Sequence, residues 1–408
     1  MLGSRCFIVV VLFWKLCTPA LAEEVSLGTN VSDFDQFYNR GGGSIKHVQC
    51  IFSKLGYSPS VQRMPWLRAR QEVSTGRVDG FFTAIASGKV EEYAELSAPL
   101  VLESWYWYWP AGTDEPESGG KEVRIGAVLG SHQALWLDQH GYSVHLRVNS
   151  LPQLVKLMVS DRIDTFVADR EHMGAILSEL GIGSERYEHR FMRYMPLGVY
   201  FGNGFLEEHP GFLARFNAQI FPCAPASFVV SAEEQAETHR WLTPVLDEWI
   251  EGRDLAKTVI AYSEQREGWS AKKRELLDEE WREAFRQGNG ESVGRLVDGP
   301  LSDELRVLEA DQGGILTEII VTDRRGFNIA VSKITSDFWQ GDEAKFTQAW
   351  ELEPGQLQFS PVRNDESTQR FQISVSRPVY HPESGAPVGV IIVGVDVEKA
   401  LSRWFNGG

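Results

Sequence analysis

The stretch Val123–Asp169, VRIGAVLGSHQALWLDQHGYSVHLRVNSLPQLVKLMVSDRIDTFVAD, decides the fold. It opens as an apolar run, turns at Gly130 and Ser131, and continues through helical patches that start at His132 and Ser150. A second apolar run then ends at the final aspartate. Short apolar runs that alternate with helical patterns indicate parallel strands joined by crossover helices. We therefore predict a strand–turn–helix unit followed by a helix–strand unit.

Three positions in this stretch, Gly130, Ser131 and Asp169, fall where the predicted strands end. Ligands of open α/β sheets bind beyond the carboxyl ends of the strands. A turn of backbone N–H groups at a helix start favours an anion, whereas an aspartate at a neighbouring strand end favours a cation. Together these positions predict a site for a small zwitterion or an amine.

Charge and an N-terminal leader narrow the class of protein. The net charge of −16 over 408 residues argues against nucleic acid or an anionic membrane surface as a partner. Residues 1–22 carry Arg5 and an apolar core, which predicts a secretory signal peptide cleaved after Ala22. Removing Arg5 and Lys15 with it changes the net charge from −16 to −18. No other stretch approaches the roughly 20 apolar residues of a membrane span, so we expect a soluble, exported, periplasmic protein; lipidation of Cys17 is the alternative.

Serines mark predicted helix starts elsewhere in the chain. Ser44, Ser270 and Ser302 precede segments with apolar periodicity, and we expect them to act as N-caps. Ser87–Tyr93 predicts another short helix.

A succession of weak motifs extends over residues 25–242. The motifs are Gly76-Arg-Val-Asp-Gly80, Ser97-Ala-Pro99, Arg124-Ile-Gly126, Gly130-Ser131, Asp161-Arg-Ile-Asp164 with Asp169, and Pro196-Leu-Gly-Val199. Their order and spacing resemble periplasmic solute-binding proteins of the amino-acid-binding class, family 3. The resemblance implies an α/β periplasmic-binding-protein fold over residues 23–242, with two lobes around a cleft. Lobe one would combine about 23–108 and 195–242, and lobe two would be about 109–194.

The resemblance also implies which residues line the cleft. The Gly130-Ser131 turn matches the family's receptor for a ligand carboxylate, and Asp169 matches its acidic residue for the ligand ammonium. Thr83 lies at a strand end that lines the cleft. For Asp169 the alternative is a helix cap without a ligand.

One departure from the family concerns the arginine that usually stands seven residues before the serine of the Ser-x-Pro motif. That position is Val90 here, with Lys89 beside it, and Arg68 or Arg70 could substitute. An arginine fork holds a carboxylate bidentately, while a lysine is a point charge. The usual grip on an α-amino acid is therefore an open question.

Aromatic residues are further candidates for ligand contact. Trp105 opens a run of five aromatics in a predicted strand, where alternate members face opposite sides. It could line the cleft or belong to the core. Trp66 could stack on the apolar or cationic part of a ligand, or only staple its helix.

The cysteines of the mature chain are Cys50 and Cys223. An even pair in an oxidising compartment suggests one disulfide, and two buried free thiols are the alternative. Both segments fall in lobe one of the implied fold, which favours the bridge.

Residues 243–408 predict a helical linker over 243–287 and then an antiparallel sheet, an α+β arrangement. The stretches Glu318–Gly326, Thr335–Lys345, Asp365–Thr368 and Pro387–Val390 resemble an extracytoplasmic Cache-type (PDC, PAS-like) sensor domain. The resemblance implies a ligand pocket between the sheet and the loops that follow its second strand. The candidate residues there are Asp337, Trp339, Asp342 and Lys345, unless this stretch is only a well-ordered loop.

Three classes of function follow. The first is a periplasmic sensor that binds a small polar solute, with an amine or carboxylate, and signals to a separate membrane receptor, kinase or cyclic-dinucleotide enzyme. A separate partner is expected because the chain ends twelve residues after Asp396 without a membrane span. The second is the substrate-binding component of an ABC uptake transporter, which would meet a permease.

The third class is an enzyme on this fold, such as a dehydratase. The sequence holds no G-x-S-x-G, no H-x-x-x-H and no phosphate loop. We therefore expect no catalytic residue, metal or cofactor. The long helix before the second sheet is a candidate seam for a homodimer.

Overall fold

The computed structural model describes residues 22–30, 43–116, 123–223, 228–297, 299–365 and 370–405. The predicted signal peptide, except for Ala22, and most of the Asp365–Thr368 motif lie outside these ranges. The elements up to residue 223 are β1 (Glu23–Thr29), α1 (Gly43–Leu55), β2 (Tyr57–Arg63), α2 (Trp66–Ser74), β3 (Gly80–Ala84), β4 (Ala94–Leu96), β5 (Val101–Pro110), β6 (Ile125–Val128), α3 (His132–Gln139), β7 (Val144–Val148), α4 (Leu151–Val159), β8 (Thr165–Asp169), α5 (Arg170–Leu180), a 3-10 turn (Ser184–Arg186), β9 (Tyr187–Gly202), α6 (Asn203–Glu208) and α7 (Phe212–Cys223).

The elements after residue 228 are α8 (Ala232–Gly252), α9 (Leu255–Gln265), α10 (Ala271–Arg286), α11 (Gly290–Gly294), α12 (Pro300–Asp311), β10 (Leu316–Asp323), β11 (Asn328–Val331), α13 (Ala344–Trp350), β12 (Gln358–Phe359), β13 (Arg363–Asp365), β14 (Arg370–Tyr380), β15 (Pro387–Asp396) and α14 (Val397–Phe405). Within the described ranges, no helix is both long and apolar enough to cross a bilayer.

A sheet with the strand order β2-β1-β3-β9-β5-β8-β6-β7 runs through the N-terminal half, and β4 pairs with β9 beside this path. The predicted central unit is confirmed, because β6 and β8 are parallel neighbours with Ile125 opposite Thr165. Strands β1, β2 and β3 form a second parallel group. The N-terminal half therefore has the predicted α/β class.

Strand β9 belongs to both lobes. From Tyr187 to Leu197 it pairs with β5, which leads to β8, β6 and β7 of lobe two. From Gly198 to Gly202 it pairs with β3 and β4 of lobe one. The lobes are therefore joined by a strand that continues from one to the other, and any movement between them must bend or twist β9.

The aromatic run Trp105–Trp109 in β5 is buried throughout, because both faces of the strand are covered. Its three tryptophans pack in one apolar cluster with Ile125, and its two tyrosines pack in another with Phe166. The alternation expected of a strand is confirmed. Trp105 is 0% exposed, and its Nε1–H donates to the Glu103 carboxylate at 2.7 Å, which favours a core position over contact with a ligand.

A second sheet, antiparallel in all its pairings, has the order β11-β10-β15-β14-β12, with β13 on β14. One face shares a continuous core with lobe two and α8, in which Phe166, Leu246 and Val393 are buried. The other face is covered by α10 and α13 through Trp281 and Phe346. The predicted helices followed by an antiparallel sheet are confirmed, while a Cache or PAS-like identity stays a prediction.

The predicted disulfide is confirmed. Cys50 in α1 and Cys223 at the end of α7 are bonded, with their Cα atoms 5.8 Å apart. Beside them, the Nε2–H of His47 donates to the carbonyl oxygen of Ile220 at 2.7 Å, and burial lowers the pKa of His47. The bridge closes a loop of 173 residues and so holds the two sequence segments of lobe one together.

One of the predicted N-caps is confirmed, because the Ser270 hydroxyl accepts the N–H of Lys273 at 3.2 Å. Ser44 and Ser302 lie inside α1 and α12, so those two predictions are wrong. Helix α12 starts two residues earlier, at a proline, which suits a first helical turn. The segment Ser87–Tyr93 forms turns instead of the predicted helix.

Candidate functional site

The two lobes meet where the end of β3 faces the start of α3. His132 of lobe two places its Nε2 2.9 Å from the carbonyl oxygen of Thr83 in lobe one. Its ring centroid lies 5.2 Å from that of Trp66. Thr83 is buried with a φ of 58°, a left-handed conformation that is unfavourable for a β-branched residue. The predicted cleft residues Trp66 and Thr83 are thus brought together, with an imidazole of the other lobe against both.

Burial keeps this imidazole neutral. It lowers the pKa of His132 from 6.5 to about 4; the hydrogen bond to Thr83 acts in the opposite direction, and the positive charge of Arg70 lowers the pKa further. Near pH 7 the Nε2–H therefore donates to the Thr83 carbonyl. Sequence analysis gave His132 no role, although it directly follows the predicted Gly130-Ser131 turn.

The Gly130-Ser131 turn precedes α3 as predicted. Gly130 has a φ of 74°, which favours glycine. The Ser131 hydroxyl accepts the N–H of Ala134 at 3.1 Å, and the Ser131 N–H donates to the carbonyl of Val128 at 3.1 Å. Both polar groups of Ser131 already have partners, so its role toward a ligand stays a prediction.

Asp169 is a helix cap. It is 6% exposed, and its Oδ2 accepts the N–H of His172 at 3.1 Å, which caps α5. Its Oδ1 accepts the N–H of Ser104 in β5 at 3.0 Å. The helix cap that the sequence left open as the alternative role of Asp169 is therefore observed. Each carboxylate oxygen has a second lone pair, so contact with a ligand ammonium stays a prediction.

Val90, where the family arginine is missing, and its three candidate substitutes lie in different environments. Val90 is 2% exposed and belongs to the apolar core of lobe one. Lys89 is exposed, and Arg68 is exposed and paired with Glu72 at 3.5 Å. Arg70 is half-buried, and its Nε is shielded from solvent without a hydrogen-bond partner among the described residues. The charge of Arg70 acts on His132, which lies at the contact between the lobes.

The charge of Arg70 also acts on two phenols, those of Tyr93 and Tyr200. The Tyr200 hydroxyl accepts the N–H of Ser87 at 2.8 Å and donates to Glu91 at 3.2 Å. Burial raises the pKa of Tyr200 to about 12. Burial also raises the pKa of Tyr93, against the opposing effect of Arg70. Both phenols are neutral at physiological pH, so they add polar groups to this region without adding charge.

Of the predicted residues of the C-terminal domain, Asp337, Trp339 and Asp342 lie in the loop before α13, and Lys345 lies in the first turn of α13. The Asp337 carboxylate accepts a hydrogen bond from the Gln340 amide at 3.1 Å. Trp339 donates its Nε1–H to the carbonyl of Arg325 at 2.8 Å. Asp342 is exposed. Lys345 is considered with its carboxylate neighbours below.

This loop is held by a buried carboxylate that sequence analysis missed. Asp278 of α10 accepts the N–H groups of Phe338 and Trp339 at 3.0 and 2.9 Å. Burial raises its pKa, while those backbone hydrogen bonds and Arg282 oppose the rise. The contacts favour the alternative of a well-ordered loop for residues 335–339, and ligand binding there stays a prediction.

A further polar group surrounds Lys345. Its Nζ lies 3.2 Å from a Glu343 oxygen. Burial raises the pKa of Glu318 and of Glu343, and the charge of Lys345 opposes the rise in both. Among the described residues, no three His, Cys, Asp or Glu side chains lie close enough to hold a metal ion.

Cavities also form outside the cleft. One of about 790 Å³ is a groove between α8 and residues 352–359, where His239 and Phe359 contribute to its wall. Another, of about 360 Å³, lies beside α12 near Arg306 and Lys333. Neither is lined by a residue predicted for the cleft or for the 335–345 stretch.

Comparisons with known proteins concern only part of the chain. The sequence matches no protein-family profile and no curated protein. Among solved structures, it is similar to a histidine kinase sensor domain with similarity to periplasmic binding proteins, at 15% identity and a TM-score of 0.41, over 51% of this chain and 93% of that one.

Two binding proteins show the same level of similarity. One is an ancestral arginine-binding protein bound to arginine, at 16% identity and a TM-score of 0.40, over 51% of this chain and 100% of that one. The other is a substrate-binding protein of an ABC uptake transporter from Streptococcus pneumoniae with bound histidine, at 16% identity and a TM-score of 0.39, over 53% and 92% of the two chains. The similarity extends over about half of the chain and concerns the fold, not the ligand.

Proposed function

We propose that the protein binds a small polar solute between its two lobes, in the periplasm, and reports the bound state through its C-terminal domain to a separate membrane partner. Trp66 and Thr83 contact His132 where the lobes meet, and the charge of Arg70 acts on the same imidazole. They offer an aromatic face, a backbone carbonyl, a cation and a neutral imidazole. A small polar molecule needs such a mixed set of contacts.

The observation that carries the proposal is the contact between the C-terminal domain and β9. From Tyr187 to Leu197 one edge of β9 pairs with β5. On its other side, the N–H of Tyr194 donates to the Glu398 carboxylate of α14 at 2.7 Å, and the Tyr194 ring lies 5.6 Å from that of Phe371. Burial raises the pKa of Glu398. A rearrangement of β9 on lobe closure would therefore reach α14 directly.

A second contact joins the strand end that carries Asp169 to α8. Arg170, the next residue, lies 2.5 Å from the Glu233 carboxylate and also donates to the Ser231 hydroxyl. Tyr106 of β5 donates to Glu234 at 3.1 Å. These residues form the start of α8, and Asp247 further along α8 pairs with Arg377 of β14 in the second sheet at 2.6 Å. Lobe two and the C-terminal domain would thus move as one body.

Sensing is favoured over delivery because a delivery protein needs only the two lobes. The partner that we propose is a receptor, a kinase or a cyclic-dinucleotide enzyme. An ABC permease would be the partner under the uptake alternative. The proposal contains no catalytic step.

The test uses the full mature chain. A thermal-shift screen against amino acids, polyamines and short carboxylates identifies a ligand, since ligand at 100 times its Kd stabilises the native state by about 2.7 kcal/mol. Hydrogen exchange is then measured with and without that ligand. We expect slower exchange in the cleft and also in residues 187–197 and 397–405. In Glu398→Ala the slower exchange at 397–405 should disappear while the ligand Kd changes less than threefold. Slower exchange confined to the lobes in the wild type would contradict sensing and support delivery.

A further inference from the structure

One side chain of lobe two occupies the contact between the lobes. His132 is the first residue of α3, and the Ser131 cap fixes the start of that helix. Its ring centroid lies 5.2 Å from that of Trp66, with 39° between the two planes. Aromatic rings in direct contact have centroids about 4.5–7 Å apart, so no layer of solute atoms fits between these two. The side of Trp66 toward lobe two is therefore covered by the imidazole.

The backbone of lobe one is shaped to present an acceptor at the same point. Strand β3 pairs with β9 through Phe82 and Ala84, and the register shifts between them, so Thr83 forms a bulge. Its φ of 58° is unfavourable for a β-branched residue, and its hydroxyl donates to the carbonyl oxygen of Phe82 at 2.7 Å. Backbone strain of this kind is typical of functional sites. Here it accompanies a carbonyl that faces lobe two.

The imidazole satisfies this acceptor. Its Nε2 lies 2.9 Å from the carbonyl oxygen of Thr83, and a carbonyl only accepts, so Nε2 carries the proton. Thr83 is 8% exposed, which leaves little room for a second donor beside the ring. Trp66 and Thr83 are both predicted from the sequence to contact a solute, and His132 contacts both. A solute that uses the indole and the carbonyl together must therefore displace the imidazole.

We propose that His132 is an internal competitor of the solute: its imidazole binds Trp66 and the Thr83 carbonyl, holds the lobes together, and has to leave before a solute takes its place. The inference rests on the proposed function, because it assumes that a solute binds between the same lobes. It goes further in naming one side chain that lowers the affinity for every such solute. The apparent Kd is the intrinsic Kd divided by the fraction of chains that the imidazole has vacated. A fraction of about one tenth weakens binding about 10-fold.

The first experiment asks whether free imidazole replaces the side chain. The full mature chain with His132→Ala is titrated by ligand-observed NMR at about pH 8, where imidazole is neutral. The probes are imidazole and 1-methylimidazole, which keeps the ring but has no N–H. Imidazole should bind at least about 10-fold more tightly, since only it donates to the Thr83 carbonyl. Adding Trp66→Leu should weaken imidazole binding about 10-fold.

The controls for this titration are the wild type and His140→Ala. The wild type should bind imidazole at least about 10-fold more weakly than His132→Ala, because its own ring fills the place. His140→Ala removes an exposed imidazole at the other end of α3 and should behave as the wild type does. Circular dichroism checks that each variant is folded.

The second experiment measures the distance between the lobes by pulsed electron spin resonance, without a ligand. Spin labels are placed at exposed helical positions, as Lys54→Cys in α1 and Lys156→Cys in α4. The native cysteines are bonded to each other and take no label. With His132→Ala added, the distance should lengthen by about 5 Å or more, and imidazole should restore it. His140→Ala should leave the distance unchanged.

The third experiment compares solute affinities. L-Arginine, L-histidine, L-glutamate, putrescine and succinate are titrated calorimetrically into the wild type, His132→Ala and His140→Ala. Each of them that binds the wild type should bind His132→Ala at least about 10-fold more tightly, because it no longer competes with the ring. Its affinity for His140→Ala should change less than twofold.

The outcomes that overturn the proposal differ from those that overturn the proposed function. A solute that binds His132→Ala no more tightly than the wild type excludes His132 as a competitor, while the cleft remains a binding site. Equal binding of imidazole and 1-methylimidazole, or an unchanged distance between the lobes in His132→Ala, has the same meaning. If imidazole binds and the lobes separate as expected but no solute binds either protein, the proposed function fails, and with it the competition, although the contact of His132 between the lobes stands.

Discussion

The guanidinium groups of Arg70 and of Arg266 in the C-terminal domain have opposite hydrogen-bonding environments. Arg266 is 7% exposed. Its guanidinium lies 3.1 Å from the Asp323 carboxylate and 3.0 Å from the carbonyl oxygen of Asn328, and it lies over the ring of Trp269 at 5.1 Å. The buried Nε of Arg70 has no hydrogen-bond partner in the described ranges. The fold supplies hydrogen-bond acceptors for the guanidinium of Arg266, which stabilises the C-terminal domain. Under the proposed function, the guanidinium of Arg70 would instead find its acceptors on a bound solute.

The strongest test of this comparison is Arg266→Met. It leaves Asp323, which is 2% exposed, without its cation, and breaking one side of a buried ion pair costs about 3–5 kcal/mol. We expect the free energy of unfolding of the C-terminal domain to fall by that amount in urea titrations. Arg324→Met removes an exposed cation whose partner Glu267 is also exposed, and should cost less than about 1 kcal/mol. Equal effects of the two substitutions would contradict the structural role of Arg266.

Acid should weaken the contact between the lobes. The pKa of His132 is about 4 in the folded protein and 6.5 when exposed, so its contribution is complete above pH 6.5 and is lost as the pH falls toward 4. The loss is at most about 3 kcal/mol. The measurement is the difference in unfolding free energy between wild type and His132→Gln across this range. The control, His140→Gln, alters an exposed ring, and a pH dependence equal to that of His132→Gln would contradict the prediction.

Trp339 distinguishes a structural loop from a ligand site. Trp339→Phe removes the hydrogen bond to the Arg325 carbonyl and keeps the aromatic contact with Phe327, whose ring centroid is 6.1 Å away. The expected cost is about 1 kcal/mol of unfolding free energy, measured by chemical denaturation, with every ligand response retained. Loss of a ligand response at unchanged stability would instead place a binding site at Trp339.

The smallest effect is expected for Arg70→Met. Its Nε has no hydrogen-bond partner among the described residues, and the substitution removes a half-buried cation. The free energy of unfolding without ligand should change by less than about 1 kcal/mol, in either direction. The difference between the unfolding free energies of Arg70→Met and Arg266→Met would then distinguish a cation that binds a solute from one that stabilises the fold. A loss of several kcal/mol would mean that Arg70 is held by the fold.

Sequence reasoning was most successful where local pattern and long-range packing agree. The parallel pair β6 and β8, the Ser270 cap and the Cys50–Cys223 bridge were all predicted. It was wrong for Ser302 because the helix begins earlier, at a proline.

For the candidate site, the sequence identified Trp66 and Thr83, which both contact His132 in the structure, but gave His132 no role. It named three cations near the missing family arginine without choosing among them. The choice among the three cations depends on which of them is shielded from solvent. That shielding arises from packing between segments that are distant in sequence, which a local pattern does not show. Trp105 shows the same limit, because an alternating pattern cannot reveal that both faces of β5 are covered.

The continuity of β9 places the C-terminal domain beside the pivot of the lobes. Tyr194, to which α14 is bound, is three residues from Leu197, after which the strand changes partner from β5 to β3. That separation is about 10 Å. A rotation of about 15° between the lobes would move atoms at this distance by about 3 Å, but atoms about 25 Å from the axis by nearly 7 Å. The contacts between the C-terminal domain and β9 can therefore persist while lobe one rotates. The motion would reach the domain mainly as a twist of β9, and only to a small extent as a displacement of its surface.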